Sequence, residues 1–483
     1  MDFLDPVKLK RHRLFLWLGY GLITIGIGIG SVVLLWQSYG YSVQNGKVIQ
    51  DGMIFISSQP NPASIYINGA LNSSQTNTRL TIPSGVYTFK LTASGYRPWT
   101  HVIPVMGGDV IHYDYPFLFP VKLTDKKIAA YSAAPTFASQ SPSQQYLVVG
   151  SPDSFSTFYM YDLTNPAAAP TTLTLPAGLI TPAAGQSWHA VAWADDNQHL
   201  LLEDSYSGGA DFVEINTQDM TQSINLNRNF NVTPTSVSLI NLKYNQFYFF
   251  DAAKQTLASA SIANPAVTPV ATGVVAFKGF QSNTVLYATL SGAPAGDVAI
   301  ELENGGNTYL MKDMPQAATY LLDMAGYNGD DYAVVGDSSD KFVYIYKDPL
   351  SNLTPGAKIQ PFRAITINQP TYEQFAPTAQ FILVESGTTF AVYDIYNDVI
   401  YHYTSSTALD APQQHAQWMD GDRLVYVSGG NVSVSDYDNT NQQTLNPALP
   451  QYQIFFAPDY KSYFSLSSTS PGVELKQTSL VAS

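Results

Sequence analysis

FAPTAQFILVES, Phe375 to Ser386, followed at once by FAVYDIYND, Phe390 to Asp398, is the stretch that decides the fold. A turn containing Pro377 opens onto a run of β-branched and aromatic residues, and a second such run closes on Asn397 and Asp398. Apolar runs of this length bounded by turn formers read as two paired strands. The same unit recurs on both sides. SPSQQYLVVG (Ser141 to Gly150) leads to FYMYDLTN (Phe158 to Asn165), and WADDNQHLLLED (Trp193 to Asp204) leads to DFVEINT (Asp211 to Thr217). WMDGDRLVYVSGG (Trp418 to Gly430) leads to VSVSDYDNT (Val432 to Thr440), and FAPDYKSYFSLSS (Phe456 to Ser468) leads to VELKQTSL (Val473 to Leu480).

With three weaker copies, the strand starts fall at Tyr146, Leu200, Phe247, Val285, Tyr332, Phe381, Leu424 and Tyr463, in steps of 38 to 54 residues. Such a step holds four short strands, the size of a propeller blade. The expectation is a mainly β chain with a seven- or eight-bladed β-propeller over 137–483, one unit being split to close the ring, preceded by a linker at 122–136. The strand entries, above all Ala457-Pro458-Asp459-Tyr460-Lys461, resemble the blades of TolB-like and WD-repeat-like propellers. Asp and Asn suit these turns because their side chains bond nearby backbone amides.

Ahead of the repeats, residues 50–121 change to short alternating runs. In Gly85-Val86-Tyr87-Thr88-Phe89-Lys90-Leu91 the side chains of Tyr87, Phe89 and Leu91 share one face and Thr88 and Lys90 the other. Ser64-Ile65-Tyr66-Ile67 repeats the period and ends in Asn68-Gly69, a hairpin signal. SSQPNPASIYING (Ser57 to Gly69), then IPSGVYTFKLTASGY (Ile82 to Tyr96) and Arg97-Pro98-Trp99, resemble the PEGA domain of bacterial and archaeal surface proteins. Pro62 stands where that family has glycine. The resemblance implies a small β-sandwich serving as a surface spacer, with no chemistry of its own. Trp99, Tyr96 and Tyr87 are either an aromatic binding patch or core, and core is expected.

Leu14 to Trp36, LFLWLGYGLITIGIGIGSVVLLW, has no charged residue over 23 positions. As a helix it would extend about 35 Å, against a hydrocarbon core of about 30 Å. Trp17 and Trp36 stand near its ends as membrane-interface residues, and Arg11 and Arg13 belong to the basic run Lys8 to Arg13 before it. The next Lys or Arg after the span is Lys47 and then Arg79. The positive-inside rule therefore predicts a cytoplasmic tail at 1–13, a transmembrane helix at 14–36 and an extracytoplasmic remainder. Ser38-Tyr39-Gly40 could serve a signal peptidase, but the apolar region is longer than the usual 7–15 or so residues of a cleaved signal, so an uncleaved anchor is expected. Gly26 and Gly30 make one small-xxx-small step, a candidate for helix pairing.

The net charge is −14 and the four basic residues of the N-terminal run leave an even more acidic body. Such a body repels phosphate backbones, so nucleic acid is not expected as a partner. Only 12% of residues are charged, about half the common share. With no cysteine, disulfides, thiolate metal sites and lipidated Cys are excluded. None of His12, His101, His112, His189, His199, His402 and His415 forms a helical metal spacing, and HExxH, G-x-S-x-G and Walker motifs are absent. Asp436-Tyr437-Asp438-Asn439-Thr440-Asn441 begins like a calcium loop but has Pro447 at the twelfth position. That segment, Asn328 to Asp331 and Asp195 to Asn197 read as blade turns, and Gly336 to Asp340 only superficially resembles a nucleophile elbow. No catalytic residue, cofactor or metal ligand is assigned. The expected partners are the lipid bilayer and an envelope protein or glycan bound without catalysis; the alternative is an envelope hydrolase acting on glycan or peptide through a propeller face.

Overall fold

The computed structural model describes residues 6–38, 40–44, 47–281, 284–353, 359–405, 408–410 and 414–482. They form two compact units, 1–122 with 482–483, and 123–481.

The first unit begins with one continuous helix, α1 (Pro6–Ser38). Its apolar portion, Lys10–Trp36, has a mean hydropathy of 2.0 and none of it is buried. The chain then forms β1 (Tyr41–Gln44), β2 (Lys47–Ile56), β3 (Ser64–Ile67), β4 (Ala70–Gln75), β5 (Thr78–Pro83), β6 (Gly85–Thr92), β7 (Trp99–Val105) and β8 (Val110–Tyr113). One sheet places β2 between β5 and β8, with β1 folded back on the start of β2. The other has the order β4-β3-β6-β7. Their facing sides close over Ile54, Ile56, Ile65, Phe89, Leu91, Trp99 and Ile103. Phe89 and Leu91 are wholly buried while Lys90 is exposed, as the period-2 pattern requires. Asn68 and Gly69 both take positive φ, the geometry of a two-residue hairpin loop. Trp99 lies inside this core and Tyr87 and Tyr96 pack against it, so the three rings are structural.

The second unit is a ring of eight four-stranded antiparallel sheets among the described residues. Seven run in chain order over 138–174, 187–225, 236–272, 274–315, 320–366, 372–404 and 417–447. The first strands of successive sheets touch one another, as Val274–Phe280 touches Tyr320–Tyr327 and that touches Tyr372–Phe375, which makes them the inner ring. Second strands are buried on both faces because a blade packs against each neighbour. All six residues of Thr284–Thr289 are buried, and five of the six in Phe381–Ser386. That is why these strands read as unbroken apolar runs rather than alternating ones.

The eighth sheet is built from both ends of the ring. Phe455–Phe456, Ser462–Ser468 and Val473–Ser479 are joined by Thr124–Tyr131 as the outermost strand. The register runs from Val473 opposite Tyr131 to Ser479 opposite Thr124, with a bulge between Leu475 and Lys476. This corrects the linker expected at 122–136 and moves the start of the propeller from 137 to 124. The strand was hidden because five of its first seven residues face solvent and two are lysines, a composition that blunts sheet edges. Inside, Leu466 and Leu475 of the last blade meet Leu147, Val149 and Tyr161 of the first.

Leu475 is fully buried at this seam. Leu475→Ala is expected to destabilise the ring by about 2–5 kcal/mol, measured as a lower urea midpoint; a change under about 1 kcal/mol would show that the seam core contributes little.

Candidate functional site

On α1, Arg11, Arg13, Trp17 and Trp36 are all exposed. Trp17 and Trp36 are separated by about 28 Å at 1.5 Å per residue, close to a bilayer's hydrocarbon thickness. Apart from the backbone of their own helix and their chain neighbours, no atom of the described residues lies within 4 Å of where a side chain would stand at Gly26 or Gly30.

The acidic segments fold as turns whose carboxylates are occupied by the turn itself. Asp394 Oδ1 accepts from the Tyr396 and Asn397 amides, and its Oδ2 from Asn397 Nδ2. Asp436 Oδ2 accepts from Asn441 Nδ2. Asp196 takes the Gln198 and His199 amides and pairs with His199 Nδ1 at 2.6 Å. Asp337, wholly buried, accepts the Ser339 and Asp340 amides and the Ser339 hydroxyl, so Gly336 to Asp340 is a side-chain-capped turn. Among the described residues no three His, Asp or Glu side chains are placed to hold a metal ion.

The inner ring holds a constellation that the motif search missed. Lys278 on the first strand of the fourth blade lies 2.9 Å from Asp323 on the first strand of the fifth. Glu373 follows on the first strand of the sixth, its Oε2 enclosed and without a hydrogen-bond partner. Burial pushes the Glu373 carboxyl well above the ordinary glutamate range, Asp323 adds to that push and Lys278 opposes it. Burial works to lower Lys278, yet Asp323 and Glu373 outweigh it and the ammonium is held charged.

Next to Glu373, the Tyr372 ring stacks on His415 with centroids 3.8 Å apart. His415 Nδ1 lies 2.9 Å from Glu385 Oε2, and Glu385 Oε1 accepts the Ala416 amide at 2.7 Å. Burial raises Glu385, while His415 and that amide resist the shift. The group can present charge, exchange a proton at Glu373 and accept hydrogen bonds at Asp323. Lys278, Asp323 and Glu373 are spaced by 45 and 50 residues, one blade period each. Aligning the repeats and asking where a first strand carries a charge would have found them.

A second concavity, a groove of about 540 Å³, lies where the last blade meets the first. Its walls include Lys126, Thr164, Pro458, Asp459, Lys461 and Gln477, and Lys461 is paired with Asp459 at 3.1 Å.

Residues 51–118 match the PEGA domain family, and the ring is a β-propeller like several solved structures. The dihydro-heme d1 dehydrogenase NirN in complex with DHE is 13% identical, with 66% of each chain covered and a TM-score of 0.42. The Cps50 (Swd1) β-propeller domain of Myceliophteria thermophila is 12% identical over 65% of this chain and 98% of that one, with a TM-score of 0.40. An oligogalacturonate lyase in complex with manganese is 11% identical over 74% and 98%, with a TM-score of 0.39. These likenesses concern the fold alone. A comparison with curated protein sequences gives no match.

Because Glu373 is raised above its ordinary 4.5, the folded state holds a proton that the unfolded state loses. Stability is therefore full below about pH 4.5 and declines as pH rises toward the raised value. Glu373→Gln removes that cost. It is expected to stabilise the ring by about 1–3 kcal/mol near neutrality and by nothing near pH 4, read from thermal melts at both; an equal effect at both would refute the assignment.

Proposed function

We propose that the protein is a surface or envelope protein held in the cell membrane by α1, uncleaved and with its N-terminus in the cytoplasm. The PEGA domain serves as the extracytoplasmic spacer, and the propeller binds an envelope protein or glycan without catalysis. The observation that carries this reading is α1 itself, whose long apolar stretch is left unburied and leads into the PEGA domain. A helix of that hydropathy with its apolar surface uncovered is costly in water and favoured in lipid. Basic residues before the span support the orientation. The binding reading draws on the inner-ring group, where charges are largely compensated by one another, as in recognition surfaces that fix orientation by a few placed polar groups.

A hydrolase is the second reading, favoured by one specific observation. Asp323 beside its lysine and Glu373, whose carboxyl is raised by burial, stand on neighbouring inner strands, and a carboxyl group that keeps its proton suits the role of acid.

Protease treatment of intact cells is expected to release fragments of the propeller while leaving α1 behind. Protection in intact cells with cleavage only after lysis would overturn the topology. The detergent-solubilised full chain is expected to turn over none of a panel of glycans and peptides. Turnover abolished by both Asp323→Asn and Glu373→Gln would replace the binding reading with the enzymatic one.

A further inference from the structure

The second blade carries two carboxyl groups face to face. Asp204, on the strand His199–Tyr206, is the cross-strand partner of Asp211, on the strand Gly209–Asn216. Directly opposed positions bring side chains to roughly 5 Å at Cβ, and like charges there repel. Asp204 is wholly buried and Asp211 is 9% exposed. Asp204 Oδ2 accepts from Gln186 Nε2 at 2.6 Å, while its Oδ1 is enclosed with no partner. Asp211 Oδ2 accepts from Asn225 Nδ2 at 3.0 Å, and its Oδ1 from the Tyr206 hydroxyl at 3.4 Å.

Three side chains around this pair also hold the chain segment that joins the first blade to the second. Gln186 Nε2 donates to the Thr181 carbonyl, and Gln186 Oε1 accepts the Ala183 amide. Asn225 Nδ2 donates to the Leu179 carbonyl. Arg228 donates to the Gly178 carbonyl and the Thr181 hydroxyl, with Nη2 4.0 Å from Asp211 Oδ2. Each tether of the 178–186 segment thus has one contact on the segment and one beside a carboxyl group of the pair.

We propose that Asp204 and Asp211 share one proton and act as a pH-operated latch on the 178–186 segment. With the proton bound, the Asp204 carboxylic acid uses its otherwise unpartnered oxygen to donate to Asp211, and Gln186, Asn225 and Arg228 stay in place. When the proton leaves to solvent, two buried carboxylates oppose each other, the strand ends separate and the tethers lose their geometry. The charged and titratable groups facing the pair are Tyr206 on Asp204's own strand and Arg228 on the short helix Leu226–Phe230. Arg228 lies on the Asp211 side, which makes Asp204, with its unpartnered Oδ1, the proton holder. Burial, opposed by Gln186 and reinforced by Asp211, sets the Asp204 carboxyl at about 6.

The test is hydrogen–deuterium exchange of the full-length chain in detergent, followed over 178–186 and corrected for intrinsic rate, from about pH 5 to about pH 8. Protection is expected to fall by roughly tenfold or more across the step. Asp204→Asn, whose amide donates to Asp211 at every pH, is expected to keep the segment protected throughout. Gln186→Ala, which leaves the pair but cuts one tether, is expected to lose protection at both ends. Should Asp204→Asn fail to fold, Asp211→Asn takes its place and is expected to move the step toward the ordinary aspartate range. A flat wild-type profile, or a step unmoved in whichever aspartate variant folds, would overturn the latch.

Discussion

Everything in the ring depends on seven or so residue pairs between strands that the chain makes first and last. Thr124–Tyr131 and Val473–Ser479 are some 350 residues apart in sequence, yet their ladder turns a row of blades into a closed circle. Without it Val473–Ser479 would be a free edge, and edges are templates for unwanted pairing. The faces of the first and last blades would also stand open, since Leu466 and Leu475 cover Leu147 and Val149 only in the closed form. Long-range closure of this kind comes late in folding because its entropy must be met before its contacts form.

The acidic, sparsely charged body shapes the interior in a consistent way. Asp162 and Asp394 cap backbone turns, and at Asp162 the hydrogen bonds from Thr164 outweigh burial and hold the carboxyl below its ordinary range. Several of the few basic side chains are set beside acids. Lys278 serves Asp323, Arg228 serves Asp211, and the almost fully buried Arg423 lies between Asp420 and Asp436. Acids left without a base keep their protons longer. Glu214, 3% exposed with an unpartnered Oε2, is pushed up to about 8 by burial and by Asp196. With Asp204 and Glu373 it makes the propeller a structure that favours mild acidity.

What could be read from the residues was whatever repeats or alternates. The blade period was legible because second strands are buried on both faces, and the sandwich because Tyr87, Phe89 and Leu91 alternate with Thr88 and Lys90. The turn at Asn68-Gly69 announced itself through the conformational freedom both residues allow. The closing strand was not legible, since an outermost strand such as Thr-Asp-Lys-Lys carries solvent-facing polar residues and looks like a connection. Nor was the inner-ring group, whose members come from three successive blades and meet only when their first strands pack side by side. Asp204 and Asp211 were both quoted as ends of repeat units, but their opposition follows from the hairpin register, which places residue 204 against 211. The choice between seven and eight blades needed the same information, namely which sheet receives the N-terminal strand.

The closing strand is also the first piece of the ring reached along the chain from the PEGA domain. Any mechanical load passed along the polypeptide from the N-terminal helix arrives at Thr124 before it reaches another blade. There it acts on an antiparallel ladder flanked by the seam core and by Asp125, which accepts from Asn446 and Thr478. The ring's point of assembly is therefore its point of tension, so a tug strong enough to peel this one strand would open the circle while leaving seven sheets intact.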